Sequence, residues 1–266
     1  MKKIFTIVLF FWFGNAFSQT NLGKYFDTFS VTGSTTIFDY KNQKLFFTDS
    51  IDAQIQSLPA STFKIINSLI ALEEKVIQDE NEVLKWDGIK RSIFGKEIPN
   101  WNKDNNLKTA YKNSTIWLYV RLAERIGRNK YNEYLKKCEY GNLNFSEKGT
   151  DFWNYGNFEI SPKNQIEFLV KLYENNLPFS QQTINTVKDI MISENKEGLI
   201  FRDKTGWTTK DGIDIGWWVG YLETPDNILF FATRIKKRVS EVNPDFSKAR
   251  KEITKAILKD LYPISN

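Results

Sequence analysis

The chain has 266 residues, 41% of them hydrophobic and 15% aromatic, with 37 Lys and Arg against 32 Asp and Glu for a formal charge of +5. That much apolar material supports a sizeable core and excludes a disordered chain, and without an Arg stripe or a long Lys run nothing points to nucleic acid. There is no histidine and one cysteine, Cys138, which excludes an internal disulfide and leaves zinc only an all-carboxylate shell that it seldom takes.

The N-terminus, "MKKIFTIVLFFWFGNAFSQT", sets two lysines before an apolar run and then the small residues Ala16 and Ser18. It reads as a signal peptide over residues 1–18, leaving Gln19 first in an exported, periplasmic or secreted protein. The run from Ile4 to Phe13 is too short to span a bilayer, so no membrane span is expected in the mature chain. Residues 19–266 read as a single domain, since no Pro/Gly linker or repeat divides them.

"FSVTGSTTIFDYKNQKLFFTD" alternates β-branched and aromatic residues about Lys41-Asn42-Gln43 and predicts a hairpin from about Phe29 to Thr48. A helix is expected from Ser61 to Glu74, with Phe63, Ile66, Leu69, Ile70 and Leu72 near one face. "NSTIWLYVRLAERIG" has helical periodicity and ends at Gly127, with Ser114 expected to start the helix as its N-cap. "SPKNQIEFLVKLYENN" offers Ser161 as N-cap and Pro162 at the first helical position, and "SQQTINTVKDIMIS" predicts a further helix. Three strands follow, "GLIFRDKTGW", "IDIGWWVGYLE" and "NILFFATRIK", the last two joined by the turn "TPDN". An amphipathic helix with Ile253, Ile257 and Leu261 on one side closes the chain. The fold class is therefore α/β of the α+β kind: an antiparallel sheet made from both ends of the chain, flanked by helices, with a mostly helical lobe from the middle.

Three short motifs carry chemistry. In "SLPASTFKIINSLIALE", Ser61 and Lys64 stand three apart and share a helical face. Ser61 there lies beside free backbone N–H groups that favour an oxyanion, and a lysine buried among Phe63, Ile65 and Ile66 loses its proton readily enough to serve as base. S-x-x-K is expected about once by chance in a chain of this length, and a second copy, Ser193 to Lys196, sits in the charged "SENKEG"; Ser61 is the better seated of the two. Lys204-Thr205-Gly206 places a cation and a hydroxyl on a strand where Gly206 lets a substrate lie close. Ser114, between them, is suited to relay a proton to a leaving nitrogen.

S-x-x-K, a second serine and K-T-G in this order resemble the penicillin-recognising serine enzymes, and within them the class D β-lactamases, over nearly all of the mature chain. "PASTFKI" resembles the class D nucleophile segment, Ser114-Thr115-Ile116 its S-x-V motif, and Tyr140-Gly141-Asn142 its third motif. "DFWNYGNFEISPKNQIEFL" is similar to its omega loop, "KTGW" and "GWWVGY" to its final strands, and Arg250 falls where the family has a carboxylate-binding arginine. Class A fits less well, because Thr115-Ile116 replace its D-N and no E-x-x-x-N lies between the second motif and K-T-G.

The resemblance implies the serine β-lactamase and penicillin-binding transpeptidase fold, a small β-lactam substrate, and no cofactor beyond carbon dioxide held as a carbamate on Lys64, the general base for acylation and deacylation. It implies that Trp153 donates its indole N–H to that carbamate, that Phe63 and Ile116 keep the pocket dry, and that the N–H groups of Ser61 and Trp207 form the oxyanion hole. Ser114 then protonates the leaving nitrogen, and Lys204, Thr205, Gly206 and Arg250 receive the substrate. The chain departs from class D at Ile116, commonly Val, at Asn154, commonly apolar, and at Tyr155, frequently acidic. A polar amide at Asn154 could admit water or bond the carbamate. The alternative functions are a β-lactam sensor that stays acylated and a penicillin-binding D,D-peptidase.

Overall fold

The computed structural model describes residues 22–93 and 95–262. The expected signal peptide, residues 1–18, lies outside them. In chain order the elements are α1 (Lys24–Thr28), β1 (Thr32–Asp39), β2 (Lys44–Phe47), 3-10 turns at Asp52–Gln54 and Ala60–Phe63, α2 (Lys64–Glu73), β3 (Ser92–Ile93), β4 (Lys96–Glu97), α3 (Leu107–Asn113), α4 (Ile116–Ile126), α5 (Arg128–Cys138), α6 (Phe152–Tyr155), α7 (Pro162–Tyr173), α8 (Gln181–Ile190), β5 (Ile192–Lys196), β6 (Leu199–Lys210), β7 (Ile213–Glu223), β8 (Ile228–Arg238) and α9 (Phe246–Leu261).

Six strands form one antiparallel sheet in the order β2-β1-β8-β7-β6-β5. The two ends of the chain meet in its middle, where β1 pairs with β8 (Ile37 opposite Phe231). Period-2 alternation sorts β7 between two cores. Trp217, Val219 and Tyr221 join Phe63, Leu69, Leu118 and Leu169 of the helical lobe. Trp218 and Leu222 join Phe26, Phe231, Phe246, Ile253 and Ile257 beneath α1 and α9. Among the described residues no helix is long and apolar enough to cross a membrane.

The α+β architecture is as expected, and several details differ. The helix at "SQQTINTVKDIMIS" stops at Ile190, and the charged run after it is an exposed edge strand, β5, whose Glu and Lys side chains blunt the sheet edge. Ser61 sits in a 3-10 turn, and the α-helix proper starts at Lys64. Ser114 is not the N-cap of α4. It is the C-cap of α3, left-handed at φ 56° and ψ 37°, and Thr115 takes the N-cap position. A hydroxyl at a left-handed link cannot also cap the next helix, because the N-cap needs extended backbone. Ser161 does cap α7, its Oγ accepting from the Asn164 N–H at 3.1 Å behind Pro162 at N1.

Candidate active site

The site is built where β6 passes the 3-10 turn in front of α2. In a 3-10 turn residues three apart eclipse one another, so the change from α to 3-10 geometry brings Ser61 and Lys64 together. The Lys64 Nζ donates to the Ser61 Oγ at 2.8 Å. Ala60 supports the turn in a left-handed conformation, φ +51°. The backbone of β6 comes very close: a Cβ on Gly206 would lie 3.0 Å from the Pro59 carbonyl oxygen and 3.2 Å from the Ser61 nitrogen. Gly206 is there because the nucleophile's own peptide fills the space a side chain would take.

Lys64 is fully buried and its Nζ lies 5.1 Å from the centre of the Tyr119 ring. Burial pulls its pKa from 10.5 to about 7, and the carboxylate of Asp151 opposes that fall. The pocket beside it is aromatic. Phe63 stacks on Trp153 with ring centres 4.9 Å apart and planes at 11°, and Phe152, Phe158, Tyr131 and Tyr140 surround it. Of the Tyr140-Gly141-Asn142 motif, the Tyr140 ring meets Phe63 edge-on, while Gly141 and Asn142 bond to Asn164, Asn157 and Glu159. Trp153 is completely buried and its Nε1–H has no hydrogen-bond partner among the described residues.

On β6, Lys204 is 4% exposed, with Nζ donating to the Thr205 carbonyl at 3.0 Å and lying 5.5 Å from the Tyr111 ring centre. Burial lowers its pKa well below the ordinary value, and the charges of Lys64, Arg250 and Lys251 push the same way. Arg250 donates from Nη1 to the Gly206 carbonyl at 2.6 Å, while its buried Nε has no partner among the described residues. Because C=O and N–H of one planar peptide point opposite ways, this bond fixes the direction of the Trp207 N–H. Desolvated cations in excess of anions make the site complementary to a carboxylate.

Ser114 is half-buried at the α3–α4 link. Tyr111, three residues before it, meets Lys204, and Tyr119, five after it, meets Lys64. The link therefore spans the two lysines. Ile116 is half-buried and lines a groove of about 400 Å³ with Trp101, Trp117 and Arg121. The decoy serine, Ser193, donates to Asp203 across the β5–β6 pair and is apart from Lys196, which pairs with Glu197.

Two residues, Asp151 and Asn67, escaped sequence reading, and a third, Asn154, is visible in the sequence as a departure from the family pattern but is engaged differently from what its place there implies. Asp151, at the start of α6, is the carboxylate that acts on Lys64. Asn154 donates from Nδ2 to Asp151 Oδ1 at 2.6 Å, so the amide at the family's apolar position is engaged by its own turn. Asn67, one helical turn after Lys64, is fully buried with neither amide atom bonded among the described residues. Spacing from the S-x-x-K motif could have flagged Asn67; nothing local in "GTDFWNYG" marks Asp151.

A family model, the penicillin-binding protein transpeptidase domain, matches residues 31–259. The β-lactamase OXA-20 of Pseudomonas aeruginosa is 40% identical over 98% of this chain and 96% of its own. The crystal structure of a class D β-lactamase from Sebaldella termitidis superposes with a TM-score of 0.87 at 46% identity, covering 94% of this chain and 98% of that one. The chain belongs to the class D β-lactamases. The C-terminal domain of the Bacillus licheniformis BlaR penicillin receptor also superposes, with a TM-score of 0.82 at 33% identity over 91% of this chain and 94% of that one.

Proposed function

We propose that this protein hydrolyses β-lactams through an ester on Ser61, with Lys64 as the group that takes the hydroxyl proton. The observation that carries this reading is the 2.8 Å contact between the Ser61 Oγ and a fully buried amine whose pKa burial lowers to about 7. The pocket also fits carbon dioxide bound to Lys64. Burial lowers the amine's pKa to about 7, so a neutral fraction is at hand near pH 7, and the indole N–H of Trp153, held by Phe63 and without a hydrogen-bond partner among the described residues, is a donor suited to an added anion. Carbon dioxide bound there would supply a carbamate, an anionic oxygen acceptor in place of the amine for acylation and for the water of deacylation.

The remaining steps belong to the chain's own groups. The Ser61 Oγ bonds to the lactam carbonyl carbon, and the N–H groups of Ser61 and Trp207 receive the oxyanion. As the C–N bond breaks, the Ser114 hydroxyl hands its proton to the departing nitrogen. Lys204, Thr205 and Arg250 hold the substrate carboxylate, with Gly206 leaving room for it, while Phe63 and Ile116 limit water at Lys64. Water then cleaves the Ser61 ester. We also propose export, on the strength of residues 1–18; the first residue of the processed protein is then Gln19.

A sensor that remains acylated is the second reading, favoured by the likeness to the BlaR receptor domain. Nitrocefin distinguishes the two. Sustained turnover that Ser61→Ala abolishes supports the hydrolase, whereas a stoichiometric burst followed by a stable acyl adduct in the mass spectrum supports the sensor.

A further inference from the structure

We propose that the basic cavity along the free edge of β6 receives an anionic substituent of the substrate, carried on the ring carbon beside the one that bears the carboxylate; this deepens the β-lactam reading above and rests on it. The cavity measures about 510 Å³ and lies between α3, residues 189–193, Lys204 and Thr205 of β6, and Lys251 of α9. It exists because β6 runs on past its neighbour. β5 pairs with β6 from Leu199 to Arg202, and the Met191 carbonyl accepts the Asp203 N–H at 2.9 Å. From Lys204 onward no strand lies on that side of β6.

The roles proposed along β6 fix which end of a β-lactam meets the cavity. The oxyanion is received at Trp207 and the carboxylate at Lys204 and Thr205, so the bound ring runs from its carbonyl back along the strand toward Asp203. The other direction leads to α6, where Thr208 Oγ1 donates to the Asn154 carbonyl at 2.7 Å. In a cephalosporin or a carbapenem the carbon beside the carboxylate-bearing one carries the variable substituent, which is thereby directed into the cavity. Charge sets what the cavity admits. Lys108, Lys112, Lys204 and Lys251 line it against Asp189 and Asp203. Both acids are engaged, Asp203 by Ser193 and by Lys251 at 3.6 Å, and Asp189 by Arg202 at 3.4 Å. Lys108 pairs with Glu80 at 3.0 Å. Lys112 is exposed and pairs with no acid among the described residues. An anionic substituent gains Lys112 and a share of Lys251, and a cationic one is repelled by both.

The test uses three cephalosporins with one acyl side chain and, beside the ring carboxylate, a methyl, a carboxyethenyl or an N-methylpyridinium-ethenyl group, none of which is expelled. The readout is the second-order rate of Ser61 acylation, which is defined whether or not the ester turns over. Each variant is compared with the unaltered protein compound by compound, so the intrinsic reactivity of each ring cancels. Lys112→Glu is expected to slow acylation by the carboxyethenyl compound about fivefold relative to the methyl compound and to speed the pyridinium compound. Lys251→Gln is expected to shift the same ratio in the same direction by about twofold. Both shifts are expected to shrink in about 0.5 M salt, which screens charges in an open cavity. Equal changes for all three compounds in both variants overturn the anion subsite and leave β-lactam chemistry at Ser61 standing. Absence of an acyl adduct with every compound in the unaltered protein sinks both.

Discussion

Arg234 lies against Trp217, its guanidinium carbon 5.4 Å from the indole ring centre, and the two side chains grip one segment of chain. Arg234 donates to the carbonyls of Ile55 at 2.7 Å and Asp52 at 2.9 Å and to Ser57 Oγ at 3.0 Å, and Trp217 Nε1 donates to the Leu58 carbonyl at 2.9 Å. That segment runs directly into the left-handed Ala60 and the nucleophile. Both strands of the grip, β7 and β8, are central in the sheet, so the reactive serine is anchored to the stiffest part of the molecule.

Arg234→Met removes the buried cation and leaves the Asp52 carboxylate with only Lys236 and the Ser34 hydroxyl. A loss of about 2–4 kcal/mol is expected for breaking such a pair, seen in denaturant unfolding, together with a fall in kcat as the Ser61 turn loosens. The guanidinium also holds the Asp52 pKa down at about 2. A carboxylate depressed below its unfolded value stabilises the fold above pH ~4 and loses that contribution as pH drops through ~2. Acid unfolding of Arg234→Met is therefore less steep in that window.

Lys64→Met abolishes turnover and makes the protein more stable. The native amine titrates near pH 7 and the unfolded one near 10.5, so the unfolded chain binds more protons between those values. Stability of the carbon dioxide-free protein thus rises with pH through that window, and the full penalty of the buried charge stands at pH 6. Replacing it by an apolar group of similar length should raise stability by about 2–4 kcal/mol at pH 6 and flatten the dependence above pH 7. Melting curves in degassed buffer at pH 6, 7.5 and 9 check both points; a variant less stable than the parent at pH 6 contradicts the burial penalty.

Gly206→Ala forces its methyl group against the Pro59 oxygen and the Ser61 nitrogen. These are backbone atoms that can yield only by moving the turn or β6. A fall in kcat/KM of at least about tenfold is expected, since a displacement well under 1 Å is costly at a reacting centre, with a stability loss of about 1–3 kcal/mol from overpacking. Steady-state kinetics alongside thermal melts separate the two effects.

Trp153→Phe keeps the ring on Phe63 and removes the N–H. Because that donor has no partner among the described residues, the carbon dioxide-free form should lose less than about 1 kcal/mol. Activity at ambient carbon dioxide should drop sharply and recover in part with added bicarbonate. A substantial loss of stability in degassed buffer, with no rescue by bicarbonate, would show that the indole N–H serves the fold alone.

Legibility in the sequence followed the range of the forces involved. Strand β7 was read with its observed bounds because its ends are punctuated locally, by Asp211-Gly212 and by the Thr224–Asn227 turn. Helix α7 was read from Ser161 and Pro162 for the same reason. The motif residues Ser61, Lys64, Lys204, Gly206 and Arg250 converge because S-x-x-K and K-T-G each carry a geometric demand. What stayed hidden depends on partners far away in the chain. Strand β5 is polar and exposed, and it is a strand only because β6 offers it hydrogen bonds. Ser114 passes from helix start to helix end because of how α3 and α4 dock. Asp151 matters because its charge acts on a lysine 87 positions earlier, and no local pattern encodes that interaction. Arg234 reads as one more cation in a strand until Asp52 is beside it.

The pairing of β1 with β8 has a consequence for how the protein matures. Thr32 finds its neighbour in Lys236, near the other end of the molecule, and contacts of such long reach form late and slowly. β1 can pair with β2 as soon as the hairpin is made, but its other edge must wait for β8, about 190 residues further along the chain. The central edge of the sheet is thus closed only once β8 has been added, and the site built on that sheet is set late for the same reason.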